Sequence, residues 1–363
     1  MTNSLSIPEI QDTVRSHPRV APRGGGSKTA LRPRNDGVTL LDMTGLHGLI
    51  EYQPEEFTFT AWAGSRVADI QQSLAEQGHF LPFDPVLVER GATLGGTVAC
   101  GLSGAGRYRY GGLRDFLLGV KFVDGLGNLV TSGGRMVKNA AGFDLSKFMV
   151  GSLGQFGILV ELTFKVFPGP DAYATLLVVY PSHVEAMQAL ARLAAAPLEL
   201  FALDLEPGEA GCTLYLRLGG SPEMMAERLE RLKNTLSGVG DNPQEIQALE
   251  GDSEAELWRS QREFSWLKPG QTLVKVPVTP RRVLSLDEQL AAQGALRHYS
   301  CGANLAWVAW PGSVEPLHNL LQSQGLSGLA ILGQSEQPLL GLRTGEAFAV
   351  RVKKALDPDG KFG

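Results

Sequence analysis

The stretch GATLGGTVACGLSGAGRYRYGG, Gly91 to Gly112, holds eight glycines in 22 residues and no aspartate or glutamate. Arg107 and Arg109 lie in its second half and Arg114 just beyond it. Glycine admits positive φ and has no Cβ to obstruct a close approach. A run of glycines therefore lets successive backbone N–H groups turn into one concavity, and such a nest takes phosphate oxygens. About 65 residues upstream, APRGGGSKTA (Ala21 to Ala30) repeats the theme with three adjacent glycines between Arg23 and Lys28. The whole chain carries a net charge of −5. Cations beside both glycine segments thus mark a local anion site, not a general affinity for nucleic acid or anionic lipid. A diphosphate held between two lobes accounts for both segments together, whereas a surface turn accounts for either one alone.

Two common phosphate signatures fail here. A P-loop needs glycine immediately before its lysine, and Ser27 precedes Lys28; a dinucleotide fingerprint starting at Gly24 needs glycine where Thr29 stands. GSLGQFG, Gly151 to Gly157, has the wrong spacing as well. Neither a kinase-like site nor a nicotinamide site of the Rossmann type is supported.

Length and composition describe an ordinary globular protein, with 363 residues, 43% hydrophobic and 20% charged, long enough for two domains. No apolar run approaches the roughly 20 residues that span a bilayer. The polar start MTNSLSIPEIQDTVRSHPRV has no signal-peptide core, so the cytoplasm is the default location. Cys100, Cys212 and Cys301 are far apart and odd in number, which argues against a disulfide framework and against an iron–sulfur centre. His17, His47, His79, His183, His298 and His318 show no paired metal-ligand spacing, and no metal site is expected.

Working along the chain, RVAPRG, GVTLLDM and FTFTAWAG read as strands. SRVADIQQSLAEQG reads as a helix capped by Ser65, with Val67, Ile70 and Leu74 on one face and Gly78 stopping it. DFLLGVKFVDGLGNLVTSGG reads as a hairpin turning at Asp124-Gly125. KNAAGFDLSKFMVGSLGQFGILVELTFKVFP gives a short helix, a glycine-rich turn and a strand, and Pro168 and Pro170 mark a boundary. Beyond them the pattern becomes strand–helix–strand, strand–helix, with Ser221-Pro222 opening a helix, then the strands LVKVPVTP and ANLAWVAWPG. This is the rhythm of a sheet with helices on one side. The helix TGEAFAVRVKKALDP comes last.

In their order and spacing, PRGGGSK, the Gly91–Gly112 stretch, KNAAGFDLSKFMVGSLGQFGI and LDPDGKF resemble the FAD-binding module of the vanillyl-alcohol oxidase (PCMH) type. Within that type the chain resembles the small, E-type FAD-binding subunits of bacterial glycolate oxidase. The match covers Arg19 to Pro168 closely, the middle loosely and the last helix again. It implies an α+β architecture. A two-lobed FAD-binding domain would occupy 1–168, with lobes of about 1–87 and 88–168. An α+β cap domain would occupy 171–340, and the C-terminal helix, 341–363, would return to the FAD domain.

The resemblance also implies site residues. Arg23, Gly24, Gly25, Gly26, Ser27 and Lys28 would form the pyrophosphate loop. Thr93, Gly95 and Gly96 would approach the diphosphate or flavin from the second lobe. Ser103, Gly104, Arg107 and Gly112 would line the flavin and ribityl chain, and Gly157 and Ile158 would face the adenine end. Ser27 stands where members with covalent flavin have histidine, which implies dissociable FAD.

Two further departures concern catalysis. Leu153 in GSLGQFG replaces an acid of the hydroxyacid dehydrogenases, and YSCGANLAW lacks the histidines and acid of their H-x-G-D-G-N-x-H metal site after Tyr299. Oxidation of a 2-hydroxy acid needs a hydride acceptor, a base and a cation for the carboxylate. Arg262 could supply the cation, although an arginine beside tryptophans is more often a surface residue with a packed stem. His298 is the nearest histidine, but isolated histidines are usually structural. No catalytic residue is assigned.

Three readings stand. The first is the FAD subunit of a glycolate oxidase complex, acting on glycolate with a homologous catalytic flavin subunit and an iron–sulfur subunit, and reaching a membrane only through those partners. The second is a self-sufficient FAD-dependent dehydrogenase of another hydroxy acid or alcohol. The third is a structural flavoprotein subunit without turnover. The final LDPDGKFG stops short of an NPG motif through which related chains run.

Overall fold

The structure is a computed structural model that describes residues 5–31, 37–134, 144–208, 211–236 and 242–362. A capping box opens it: Ser6 N donates to Glu9 (2.8 Å) and Glu9 N to Ser6 Oγ, which starts helix α1 (Ile7–Ser16). Strands β1 (Val20–Arg23) and β2 (Thr39–Asp42) then pair in parallel. After β3 (Leu49–Gln53) and β4 (Thr58–Trp62) comes α2 (Val67–Ala75), with Val67, Ile70 and Leu74 buried on one face as its spacing predicts. Ser65 does not cap this helix. Its hydroxyl accepts from Gly48 N (2.9 Å) and donates to Gly48 O (3.2 Å), leaving Arg66 at the cap position with no side-chain bond. The tie to the preceding turn wins over the local cap.

Strand β5 (His79–Phe80) leads into three short helices of the glycine-rich stretch and its edge: α3 (Leu94–Cys100), α4 (Arg107–Tyr110) and α5 (Leu113–Phe116). The hairpin of β6 (Leu117–Val123) and β7 (Leu129–Gly133) turns on Asp124, whose carboxylate accepts from Leu126 N and Asn128 N. Helix α6 (Leu145–Met149) precedes β8 (Ile158–Lys165) and β9 (Phe167–Pro168). KNAAGF, residues 138–143, lies outside the described residues, as does Gly363. An antiparallel sheet in the order β3-β4-β8-β6-β7 unites this half. Phe59, Phe83, Phe122 and Phe164 belong to its core.

From residue 172 onward the strands build a second sheet. They are β10 (Ala172–Tyr180), β11 (Ala202–Gly208), β12 (Gly211–Gly220), β13 (Glu245–Glu250) and β14 (Gln271–Pro277). They continue as β15 (Leu296–Ser300), β16 (Leu305–Pro311), β17 (Ser327–Leu332) and β18 (Leu339–Gly341). All nine pair antiparallel, in the order 13-10-12-11-15-16-14-17-18. Helices α7 (His183–Ala195), α8 (Pro222–Leu236), α9 (Gly251–Glu263), α10 (Pro280–Ala292) and α11 (Glu315–Ser323) connect them.

Strand alternation gives this sheet two different faces. Leu176, Leu203, Leu216, Val274, Tyr299 and Val308 point outward into a core shared with α7, α8, α10 and α11. Their neighbours in sequence point inward: Thr175, Asp204, Arg217, Lys275, His298, Ser300 and Trp307. One expectation needs correction here, because the helices are not all on one side. Helix α9 packs on the inner face, where Trp258 Nε1 donates to Thr175 (2.8 Å) and Arg217 makes two bonds to Glu254 (2.7 and 3.1 Å).

The chain ends back on the first half. Helix α12 (Glu346–Leu356) lays Ala349, Val352 and Leu356 on the core around Phe59 and Phe164. Asp357 then accepts from the amides of Lys361 (2.8 Å) and Phe362 (2.9 Å), seating Phe362 against Ile10 and Val14. Among the described residues, no helix is long and apolar enough to cross a membrane.

Candidate functional site

The two glycine segments meet. A Cβ on Gly24 would lie 2.3 Å from Thr93 Oγ1, and one on Gly25 would lie 1.9 Å from the carbonyl oxygen of Gly91. Gly26 has φ +68°, in the left-handed region, and turns the loop so that Ser27 and Lys28 run inward, both buried. The amides of Gly25, Gly26, Ser27 and Lys28 have no acceptor among the described residues. Arg23 stays exposed, with its guanidinium near Gly26.

On the facing segment, Thr93 caps α3 by accepting from Gly96 N (3.3 Å). Gly95 N donates to Ala63 O (2.7 Å), and a Cβ on Gly95 would collide with Ala63. The contribution of Thr93, Gly95 and Gly96 is therefore closeness of backbone rather than free donors. Ser103 is buried and accepts from Leu113 N (3.0 Å). Gly104 sits on Asp84, where a Cβ would come within 2.5 Å of the Asp84 carbonyl oxygen. Gly112 N donates to Asp115 (2.8 Å), and Arg107 is exposed beside it.

GSLGQFG closes the third side. Gly151 N donates to Val98 O (2.9 Å) and Leu153 N to Ala99 O (2.8 Å), so this turn packs on α3. Gly157 fits against Phe122 and Val123, and Ile158 starts β8 opposite Val123, its side chain in the core with Ile10 and Val14. Gly154 lies against Pro22 of β1, which links this turn to the loop of Gly24.

Cations gather in the cleft between these loops and the inner face of the nine-stranded sheet. Among the described residues, Lys28 Nζ donates only to Ser27 Oγ (3.1 Å) and Lys275 Nζ only to Gly101 O (3.0 Å). Among the described residues, neither they nor Arg107 has a carboxylate within ion-pair distance. Burial holds the Lys28 ammonium below its ordinary range. Burial, with the charge of Arg107 added, brings Lys275 down to about 8. Buried cations without counter-ions are costly unless an anion arrives. Free loop amides, two such lysines and a cradle that a Cβ would fill fit the diphosphate of a dinucleotide.

A cavity opens next to this cleft. The first half contributes Val86, Gly104 and Ala105, and α9 with the turn after it contributes Trp258, Arg262 and Trp266. The inner face of the sheet supplies Asp204, His298, Ser300 and Trp307. Arg262 is not a bare surface residue, because its guanidinium lies 3.5 Å from Asp84. His298 Nε2 lies 2.9 Å from Asp204, and its Nδ1 lies 3.6 Å from Glu206. Burial works against the imidazolium, but the bond to Asp204 and the charges of both carboxylates push His298 up to about 9. Arg262 and His298, raised singly from the sequence, thus face one cavity. Lys275, Asp204 and Trp266 were missed. The signal for the first two was present in the alternation of LVKVP and ALDLEP, where a polar residue interrupts each apolar stripe.

Comparison with known proteins names this arrangement. Residues 6–133 match the model of the FAD binding domain. Over 236 residues the chain is 34% identical to glycolate oxidase subunit GlcE of Escherichia coli (strain K12), an alignment covering 62% of this chain and 67% of that protein. The chain belongs to this family of FAD-dependent oxidoreductases. It is also 31% identical over 181 residues to glycolate oxidase subunit GlcD of Bacillus subtilis (strain 168), covering 49% of this chain and 38% of GlcD. The fold is that of a solved alkyldihydroxyacetonephosphate synthase, with a TM-score of 0.70 at 17% identity over 97% of this chain and 74% of that one. FAD is the cofactor of the family, and its binding domain contains both glycine segments.

Proposed function

We propose that the chain is the FAD-binding subunit of a glycolate oxidase complex, taking part in the oxidation of glycolate to glyoxylate and in onward electron transfer. The observation that carries the reading is the closure of Gly24 and Gly25 on Gly91 and Thr93, beside a buried Lys28 without a carboxylate partner. The kinship with GlcE supplies the substrate. When bound, FAD accepts a hydride equivalent and passes its electrons on.

The chain's own residues would bind and orient it. The amides of Gly25 to Lys28 and the Lys28 ammonium would hold the diphosphate. Thr93, Gly95 and Gly96 would let the second lobe approach. Ser103, Gly104, Arg107 and Gly112 would line the flavin and ribityl chain, with Gly157 and Ile158 toward the adenine. Lys275 would bring one charge across from the sheet. Nothing in the Ser27 position forms a covalent link, so the flavin is dissociable.

The proposed partners are a homologous catalytic flavin subunit and an iron–sulfur subunit. The test is an anaerobic spectrum of the co-purified complex and of the chain by itself, each given glycolate. Bleaching in the complex but not in the isolated chain is expected. Bleaching of the isolated chain at a comparable rate supports a self-sufficient dehydrogenase instead.

A further inference from the structure

Glu263 is the last residue of α9 and stands where a carboxylate is costly. It is 7% exposed, and it lies at the C-terminal end of a helix, whose dipole disfavours negative charge. One of its oxygens accepts from the backbone amide of Glu89 (3.0 Å). The other lies 4.0 Å from the exposed Arg90 guanidinium and, among the described residues, has no hydrogen-bond partner. A residue that breaks the local rule for its helix in this way points to a role outside that helix.

Its bond to Glu89 leads to the glycine clamp. Glu89 and Arg90 form the middle of a turn closed by Gly91 N on Val88 O (3.1 Å), and the Gly91 carbonyl oxygen is the one that abuts Gly25. The chain reaches this turn through two left-handed residues that are not glycine, Asp84 (φ +51°) and Leu87 (φ +60°). Such backbone persists only where its surroundings hold it. Helix α9 does the holding. Arg262 O accepts from Leu87 N (3.0 Å), the Arg259 guanidinium reaches the Glu89 carboxylate (3.3 Å), and Glu263 takes the Glu89 amide. The Arg259 pair is exposed and contributes little, which leaves the buried Glu263 bond as the firm one.

We propose that Glu263 is a positioning residue for the diphosphate clamp, a strut from α9 through the Glu89 amide that holds the Gly91 carbonyl against Gly25. The proposal rests on the functional reading above for the identity of the ligand, FAD. A carboxylate repels a diphosphate, so Glu263 acts through the turn and not by contact. Its bond and its charge therefore pull FAD affinity in opposite directions: the bond sets the clamp, and the charge opposes the anion. The charge has a second effect at Lys28. Burial lowers that ammonium, and Cys100 and Glu263 work against the shift, so the carboxylate steadies the lysine until an anion arrives.

The test titrates the full chain and its variants with FAD, followed by flavin fluorescence. Glu263→Gln keeps an oxygen for the Glu89 amide and removes the charge, so it should bind FAD at least as tightly as the wild type. Glu263→Leu removes the acceptor and should weaken FAD about fivefold or more. In the Gly25→Ala background, where the clamp is already held apart, Glu263→Leu should add less than about twofold. A purely structural Glu263 would lower the melting temperature in both backgrounds and leave FAD affinity alone. If Glu263→Leu does not fold, Glu89→Pro removes the same bond from its other end, because proline suits the second position of a turn and has no N–H to donate. It should weaken FAD by a similar factor. Unchanged affinity in Glu263→Leu, or in Glu89→Pro where that stands in, overturns the proposal. So does an equal loss in Glu263→Gln, and so does a Glu263→Leu effect that adds in full to that of Gly25→Ala. A folded wild-type chain that takes up no FAD counts against the functional reading. Calorimetric titration with inorganic pyrophosphate then reads the same loops, and the proposal falls if pyrophosphate does not bind or binds all the variants alike.

Discussion

At the scale of single residues, the site depends on groups that are present and on side chains that are absent. Lys28 shows the first kind. Its ammonium is buried and, among the described residues, donates only to a serine hydroxyl, so the apo protein bears the cost and the bound anion relieves it. Opposite signs follow for one substitution. Lys28→Met should leave the apo protein at least as stable in urea titration, yet weaken FAD about tenfold or more in a fluorescence titration. The pH dependence of the apo protein follows the same logic. A lysine whose folded pKa is depressed binds its proton more readily in the unfolded chain. Apo stability should therefore rise as pH climbs toward 10, and Lys28→Met should flatten that slope, read as Tm against pH. Gly25 shows the second kind. Its loop was legible in the sequence because no other residue type serves where a Cβ would meet a carbonyl oxygen at 1.9 Å.

At the scale of elements, helix α9 matters most because it carries Trp258 and Arg262 to the cavity and leads into Trp266. Its anchor is the buried pair of Arg217 and Glu254, with the guanidinium 4.0 Å from the Tyr173 ring centroid and 5.0 Å from that of Trp258. Glu254→Gln leaves Arg217 buried without a counter-charge. The expected loss is about 3 kcal/mol by urea unfolding, and α9 should loosen with it; Arg217→Met with Glu254→Leu should cost less than the single change. In the first half, strands β1, β2, β4, β6, β7 and β8 and helices α2 and α6 were readable from alternation, periodicity and glycine stops, whereas α1 and the short helices α3, α4 and α5 were not. The placement of α9 was not, because local pattern shows that a helix has an apolar stripe but not which face of a sheet will receive it. Likewise Ser65 looks like a cap in sequence, and only the fold brings Gly48 within reach of its hydroxyl. The inward polar row Asp204, Lys275, His298 and Ser300 was hidden for a related reason. They are spread over three strands, and their neighbourhood exists only once the order β11-β15-β16-β14 is formed.

At the scale of the whole molecule, two sheets close on one cleft, and stability and cofactor binding are coupled. The outer layer has its own charged knot. Asp287 takes Arg297 Nε (2.6 Å) and Tyr299 OH (2.9 Å), with His183 Nδ1 2.9 Å away. Burial works to raise this carboxyl, but the bonds and charges of His183 and Arg297 outweigh it and hold it at about 2. A depressed carboxyl stabilises the fold above its unfolded value and loses that contribution as pH falls from about 4 to about 2, an amount on the order of 2 kcal/mol. Asp287→Asn should be less stable at pH 7 and show a flatter acid limb in Tm against pH. The central claim is that two glycine segments close around the diphosphate of FAD. Its most direct measurement is equilibrium titration of the apo protein and of Gly25→Ala with FAD, followed by flavin fluorescence, with circular dichroism to confirm that both are folded. The account predicts about one dissociable FAD per wild-type chain and at least a tenfold weaker affinity in the variant. A folded wild-type chain that takes up no FAD, or a variant that binds it as tightly as the wild type, contradicts the account.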